Sequence, residues 1–138
     1  MKVSFCALPV VTLLVSCGTV VQHVPDRDFP ALGQISSVSV VDKDGTSTLA
    51  NITDQQKVSE IVAFVDSRRK GWETPWYGIP APAVTAEFFT GTEFKGSFGV
   101  GRDFFETQRS GVFYSQRASA NDVRHFLDLL GVDRVPAQ

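Results

Sequence analysis

Cysteine is scarce in this 138-residue chain, and both copies, Cys6 and Cys17, fall within the first seventeen residues. A disulfide framework for the remainder is therefore excluded. Histidine is equally scarce. His23 and His125 each stand apart from any set of ligand-type residues, so neither a zinc site nor a Cys/His nucleophile is expected. A charge excess of one sign is missing too: the formal net charge is -2, which gives no general attraction to nucleic acid or to anionic lipid. No internal repeat suggests an array. No apolar run reaches the roughly 20 residues that span a bilayer as a helix.

The composition that is present is that of one globular domain. Apolar residues make up 43% and charged residues 20%, enough apolar surface for one core. Eleven Phe against two Trp and two Tyr favour a sheet-rich core over a polar recognition surface.

The chain begins Met1-Lys2, followed by a mostly apolar stretch from Val3 to Val15 interrupted by Ser4, Pro9 and Thr12. A basic start and a short, broken apolar run read as a targeting segment rather than a membrane span. Leu14-Val15-Ser16-Cys17 follows at its end. This resembles the lipobox of bacterial lipoproteins, in which an aliphatic residue stands three positions before an obligatory cysteine. The resemblance implies cleavage between Ser16 and Cys17, a signal peptide at 1–16, and diacylglycerol and palmitate-type acyl chains on Cys17. Cys17 would then be the only thiol of the mature chain, and the implied location is a membrane of the cell envelope, reached by lipid. Gly18 is compatible with an outer-membrane lipoprotein facing the periplasm if the source is Gram-negative.

Residues 17–34 carry Pro25, Pro30 and the charged run Asp26-Arg27-Asp28 without a persistent period, and are expected to form a tether about 20 to 25 Å in r.m.s. span. Residues 35–138 are expected to be a single domain. Ile35–Val41 and Thr46–Ile52 read as strands joined by an Asp-Gly turn, Asp42-Lys43-Asp44-Gly45. Thr53 with Gln56 predicts a capping box. Val58, Ile61, Val62 and Val65 then mark a helix face, ending in Arg68-Arg69-Lys70 against the negative end of its dipole. Val84–Thr90, Glu93–Val100, Asp103–Glu106 and Val112–Gln116 read as a meander, with Phe94, Gly96, Phe98 and Val100 on one strand face. Ser119 predicts the cap of a last helix buried through Val123, Phe126, Leu127 and Leu130 and closed by Gly131, with His125 off that face. The expected fold is two-layer α+β: an antiparallel sheet of five or six strands with two helices on one face.

Chemical motifs fail by spacing. Gly96-Ser97-Phe98-Gly99-Val100-Gly101 fits neither a dinucleotide fingerprint, a Walker loop nor a nucleophile elbow, and its glycines are read as allowing close packing or a bulge. The carboxylate pairs Glu87 with Glu93 and Asp103 with Glu106 are of the kind found on most solvated sheet edges. The loop Gly71–Pro82 concentrates aromatic and turn-forming residues, and Trp72, Pro75, Trp76, Tyr77 and Pro80 are candidates for a partner-binding surface or for a loop folded back on the sheet. The functional expectation is a membrane-anchored envelope lipoprotein whose domain is a non-enzymatic interaction module, with no metal or cofactor. An envelope protein or a cell-wall component is the expected partner. A ligand-binding or hydrolytic pocket, or a purely structural role, are the alternatives.

Overall fold

A computed structural model describes residues 29–75, 78, 81–109 and 111–133. The elements in chain order are β1 (Ser37–Asp42), β2 (Thr48–Ile52), α1 (Gln55–Asp66), β3 (Val84–Thr90), β4 (Glu93–Val100), β5 (Phe104–Arg109), β6 (Val112–Arg117) and α2 (Ala120–Leu130). The class is α+β, as expected. Six antiparallel strands form one open sheet in the order β2-β1-β3-β4-β5-β6.

Local chemistry explains most of the turns and caps. Gly45 takes φ 65° in the β1–β2 turn, and the Asp42 carboxylate accepts from the backbone N–H groups of Thr46 and Ser47 at 3.0 and 3.1 Å, an Asx-type closure. These bonds, that from Ser47 foremost, hold the Asp42 carboxyl below the usual carboxylate range. Ser119 caps α2 by accepting from Asp122 N–H at 3.1 Å, and Gly131 ends it in the left-handed conformation at φ 73°. The buried residues of α2 are the expected four, Val123, Phe126, Leu127 and Leu130.

Three local expectations are corrected. The cap of α1 is Asp54 rather than Thr53: its carboxylate accepts from Lys57 N–H at 2.9 Å, while Gln56 reaches forward to Glu60. Backbone geometry makes the choice: Asp54, extended at φ -63° and ψ 118°, is the residue from which the helix opens. The last turn of α1 holds no basic residue. Arg68 instead leaves the helix and donates to both carboxylate oxygens of Asp122, at 2.5 and 3.2 Å, in the first turn of α2, so it ties two helices together rather than capping one. Finally, Phe94 does not share a face with Gly96, Phe98 and Val100. The β3–β4 register slips between Phe88 and Phe89, which pair with Gly96 and Phe94. Lys95 is thus an extra residue, a bulge that turns Phe94 to the opposite face. There its ring meets Phe89 at 5.8 Å and it stays 50% exposed.

The core lies between one sheet face and the helices. Phe64 of α1 and Phe126 of α2 stack at 5.0 Å, and both contact Phe98 and Phe105 of the sheet edge-on. Phe64 is buried, whereas Val62, expected on the helix face, is only half-buried. The packed domain also starts earlier than residue 35. Phe29 and Leu32 are buried; Phe29 stacks on Trp72 at 5.6 Å and meets Tyr114 edge-on at 5.0 Å, and Leu32 N–H donates to Asp66 at 3.1 Å. Two apolar residues on either side of Pro30 carry no periodicity from which burial could be read. No described helix is long and apolar enough to cross a membrane.

Candidate functional site

The structure removes Trp72 from the candidate binding surface. Its side chain is 2% exposed, lies between Phe29 and Phe98, and donates from Nε1 to the Arg68 carbonyl at 2.5 Å. Pro75 is half-buried. Ser16, Cys17, His23, Trp76, Tyr77 and Pro80 lie outside the described residues, as does the part of the expected tether before Phe29.

The helices cover one face of the sheet, and the chemistry gathers on the other. Strand pairing aligns a row across that second face: Thr48, Val41, Thr85, Gly99, Glu106 and Ser115 are successive cross-strand partners. Glu73 extends the row, pairing with Ser115 through two backbone hydrogen bonds of 2.9 Å beyond the outer edge of β6. The loop after Glu73 returns to the row at Pro82. A Cβ on Gly99 would come within 2.7 Å of Pro82 Cβ, so only glycine leaves room for Pro82 beside Glu106. The expectation that the β4 glycines serve close packing and a bulge is met at Gly99 and Gly96.

Glu106 is 8% exposed and its Oε2 has no hydrogen-bond partner. Burial pushes its carboxyl up to about 7, because desolvation penalises the charged form. At the adjacent corner, a cleft of about 650 Å³ opens between the Gly71–Glu73 segment and the end of β6. Glu73, Asp103 and Arg117 line it together with Ser115, Gln116 and Phe104. The three charged side chains make no ion pair or side-chain hydrogen bond among the described residues. Gln116 donates to the Lys70 carbonyl, but its Oε1 is buried without a partner. A second cleft, about 340 Å³ beside Gln34, Gln55 and Val62, is lined by no charged residue among the described ones.

The sequence pairs separate in the structure. Asp103 lines the cleft whereas Glu106 stands beside it in the row; Glu87 faces Ser97, and Glu93 pairs with Lys95 at 3.1 Å. Arg117, Ser115, Gln116 and Glu73 escaped sequence reasoning because their common feature is cross-strand register. No local motif encodes it. The chain matches no protein-family model, no curated protein and no solved structure.

Proposed function

We propose that the protein is a lipid-anchored envelope lipoprotein whose domain binds another envelope component at the cleft beside β6. The lipobox Leu14-Val15-Ser16-Cys17 supports the anchor. The observation that carries the binding reading is the cleft itself, in which Glu73, Asp103 and Arg117, unpaired among the described residues, stand around one concave surface. Eleven residues separate Cys17 from Phe29, a distance of about 40 Å at full extension. The ligand must therefore lie close to the membrane.

Two measurements test the proposal. Cys17→Ala should abolish palmitate incorporation and release the protein from the membrane fraction, since two or three acyl chains supply the anchorage. A variant that stays labelled sinks the anchor. A photo-crosslinking side chain at Glu73 should capture an envelope component that the same group at Glu60, on the exposed side of α1, does not. Equal capture from both positions would remove the cleft from the proposal.

One observation favours a second reading, acid–base catalysis: Glu106 is a buried carboxyl poised near neutrality one strand from the cleft residue Ser115. Release of soluble fragments from purified cell wall by the wild-type protein, lost in Glu106→Gln, would replace binding by turnover.

A further inference from the structure

We infer that the cleft beside β6 takes a small amphoteric ligand, one carrying a carboxylate together with one or more ammonium groups, such as a diamino acid or a short peptide containing one. This rests on the binding reading above and adds the class of ligand.

The charges of the wall set the class. Among the described lining residues, Arg117 is the one cation, and its planar fork of donors suits a carboxylate. Glu73 and Asp103 supply two acceptor-only carboxylates, which suit ammonium groups and leave the wall at a net charge of -1. An anion without an amine would face two like charges, and a polyamine would face Arg117. Each mismatch selects against ligands of a single sign.

Geometry lets one small molecule reach both signs. Glu73 lies one strand across from Ser115, and Arg117 lies two residues along from Ser115 on the same side of β6. The Glu73 and Arg117 backbones are therefore about 8 Å apart. The Ser115 hydroxyl between them adds an acceptor for an ammonium. Phe104, half-buried and paired with Arg117 across β5 and β6, offers an apolar wall for the methylene stem of a diamino acid.

Heteronuclear NMR titration of the detergent-solubilised full-length protein tests this with three probes. L-lysine carries both signs, cadaverine is lysine without its carboxylate, and ε-aminocaproate is lysine without its α-amino group. The backbone amides of Glu73, Ser115 and Arg117 should shift saturably with L-lysine, with affinity about tenfold above that for either analogue, because each missing group forfeits one charge-assisted hydrogen bond. Arg117→Gln should erase the preference for L-lysine over cadaverine, and Glu73→Gln should weaken both. Equal affinities for L-lysine and cadaverine in the wild type overturn the amphoteric class. Shifts confined to other regions, or no saturable shift with any probe, overturn the site's ligand assignment. Capture by the Glu73 crosslinker judges the binding reading independently of these probes.

Discussion

Trp72→Ala should lower folding stability by about 3–5 kcal/mol, the range for truncating a buried aromatic. The side chain is 2% exposed, packed between Phe29 and Phe98, and joined through Nε1 to the Arg68 carbonyl. Truncation leaves a cavity and removes the donor that satisfies that carbonyl. It also frees Phe29, which Trp72 holds against the sheet beside Tyr114. Arg68 sits at the centre of the same region: its guanidinium lies 4.9 Å from the Phe64 ring centroid and 5.7 Å from that of Phe105 while it bonds Asp122. A domain of this size is stable by about 5–15 kcal/mol in all, so the substitution takes a large share of the total. Urea denaturation with an unchanged m-value is the measurement, and Trp72→Phe, which keeps most of the apolar volume, should lose less. A loss within about 0.5 kcal/mol, the scale of a typical surface change, would contradict burial and return Trp72 to the candidate binding surface.

The second large effect is a pH dependence centred on Glu106. Its folded-state carboxyl is raised from 4.5 to about 7 by burial. Below pH 4.5 the group is protonated in both folded and unfolded states, and its neutral form is tolerated beside Pro82 and Ser115. Between pH 4.5 and 7 the unfolded chain releases the proton while the folded one keeps it, so stability falls as pH rises; above about 7 the loss is complete. Discounted for solvent screening of a partly wetted carboxyl, the loss comes to about 2 kcal/mol, or roughly 10 °C in Tm for a domain of this length. Asp42 and Asp122 titrate in the opposite sense. Their folded carboxyls are lowered, Asp42 chiefly by the Ser47 backbone N–H and Asp122 chiefly by Arg68, so their contributions fade only as pH falls below the usual carboxylate range. The window from 4.5 to 7 therefore isolates Glu106 among these three. Thermal melts of the wild type should decline across it, and those of Glu106→Gln should be flat. A wild-type melting temperature that holds constant from pH 5 to 7 would refute the buried carboxyl.

The two results bear on different parts of the fold because different kinds of information placed the residues. Helix α2 was legible in full: a hydroxyl cap, four apolar residues at helical spacing and a closing glycine all lie within thirteen consecutive positions, Ser119 to Gly131, and each acts on its near neighbours. Strands β3 and β4 were legible to the residue for the same reason, alternation bounded by a Gly-Thr turn. Their register was not. The bulge at Lys95 that turns Phe94 outward depends on how the β3–β4 ladder closes, and a one-residue slip reverses a side chain's face without changing the pattern along either strand. The cap of α1 was misplaced by one residue because Thr53 and Asp54 are both good caps, and backbone geometry chooses between them.

The candidate site lay beyond local reading altogether. Glu106 looks like any strand carboxylate until Gly99, Pro82 and Ser115 are brought around it from three other segments of the chain. Arg117 and Glu73 are more than forty positions apart in sequence, and the pairing of Glu73 with Ser115 makes them neighbours. Trp72 could be read as an anchor for a partner or for the core, since a tryptophan suits either. Phe29, Phe98 and the Arg68 carbonyl decided the matter by filling the space around it.

By itself, the sequence determined the α+β class, the order of the eight elements, the apolar stripe of α2 and the turn at Gly45, all set by propensity and period over a few residues. It also carries Leu14-Val15-Ser16-Cys17, the lipobox-like run on which the proposed anchor depends. Long-range packing fixed the rest: where the domain begins, which face holds Phe94, that Trp72 is core, and that a buried carboxyl stands beside a cleft of mixed charge. Those outcomes depend on cross-strand register and on contacts between distant segments, where the free energy belongs to pairs of residues rather than to any one of them.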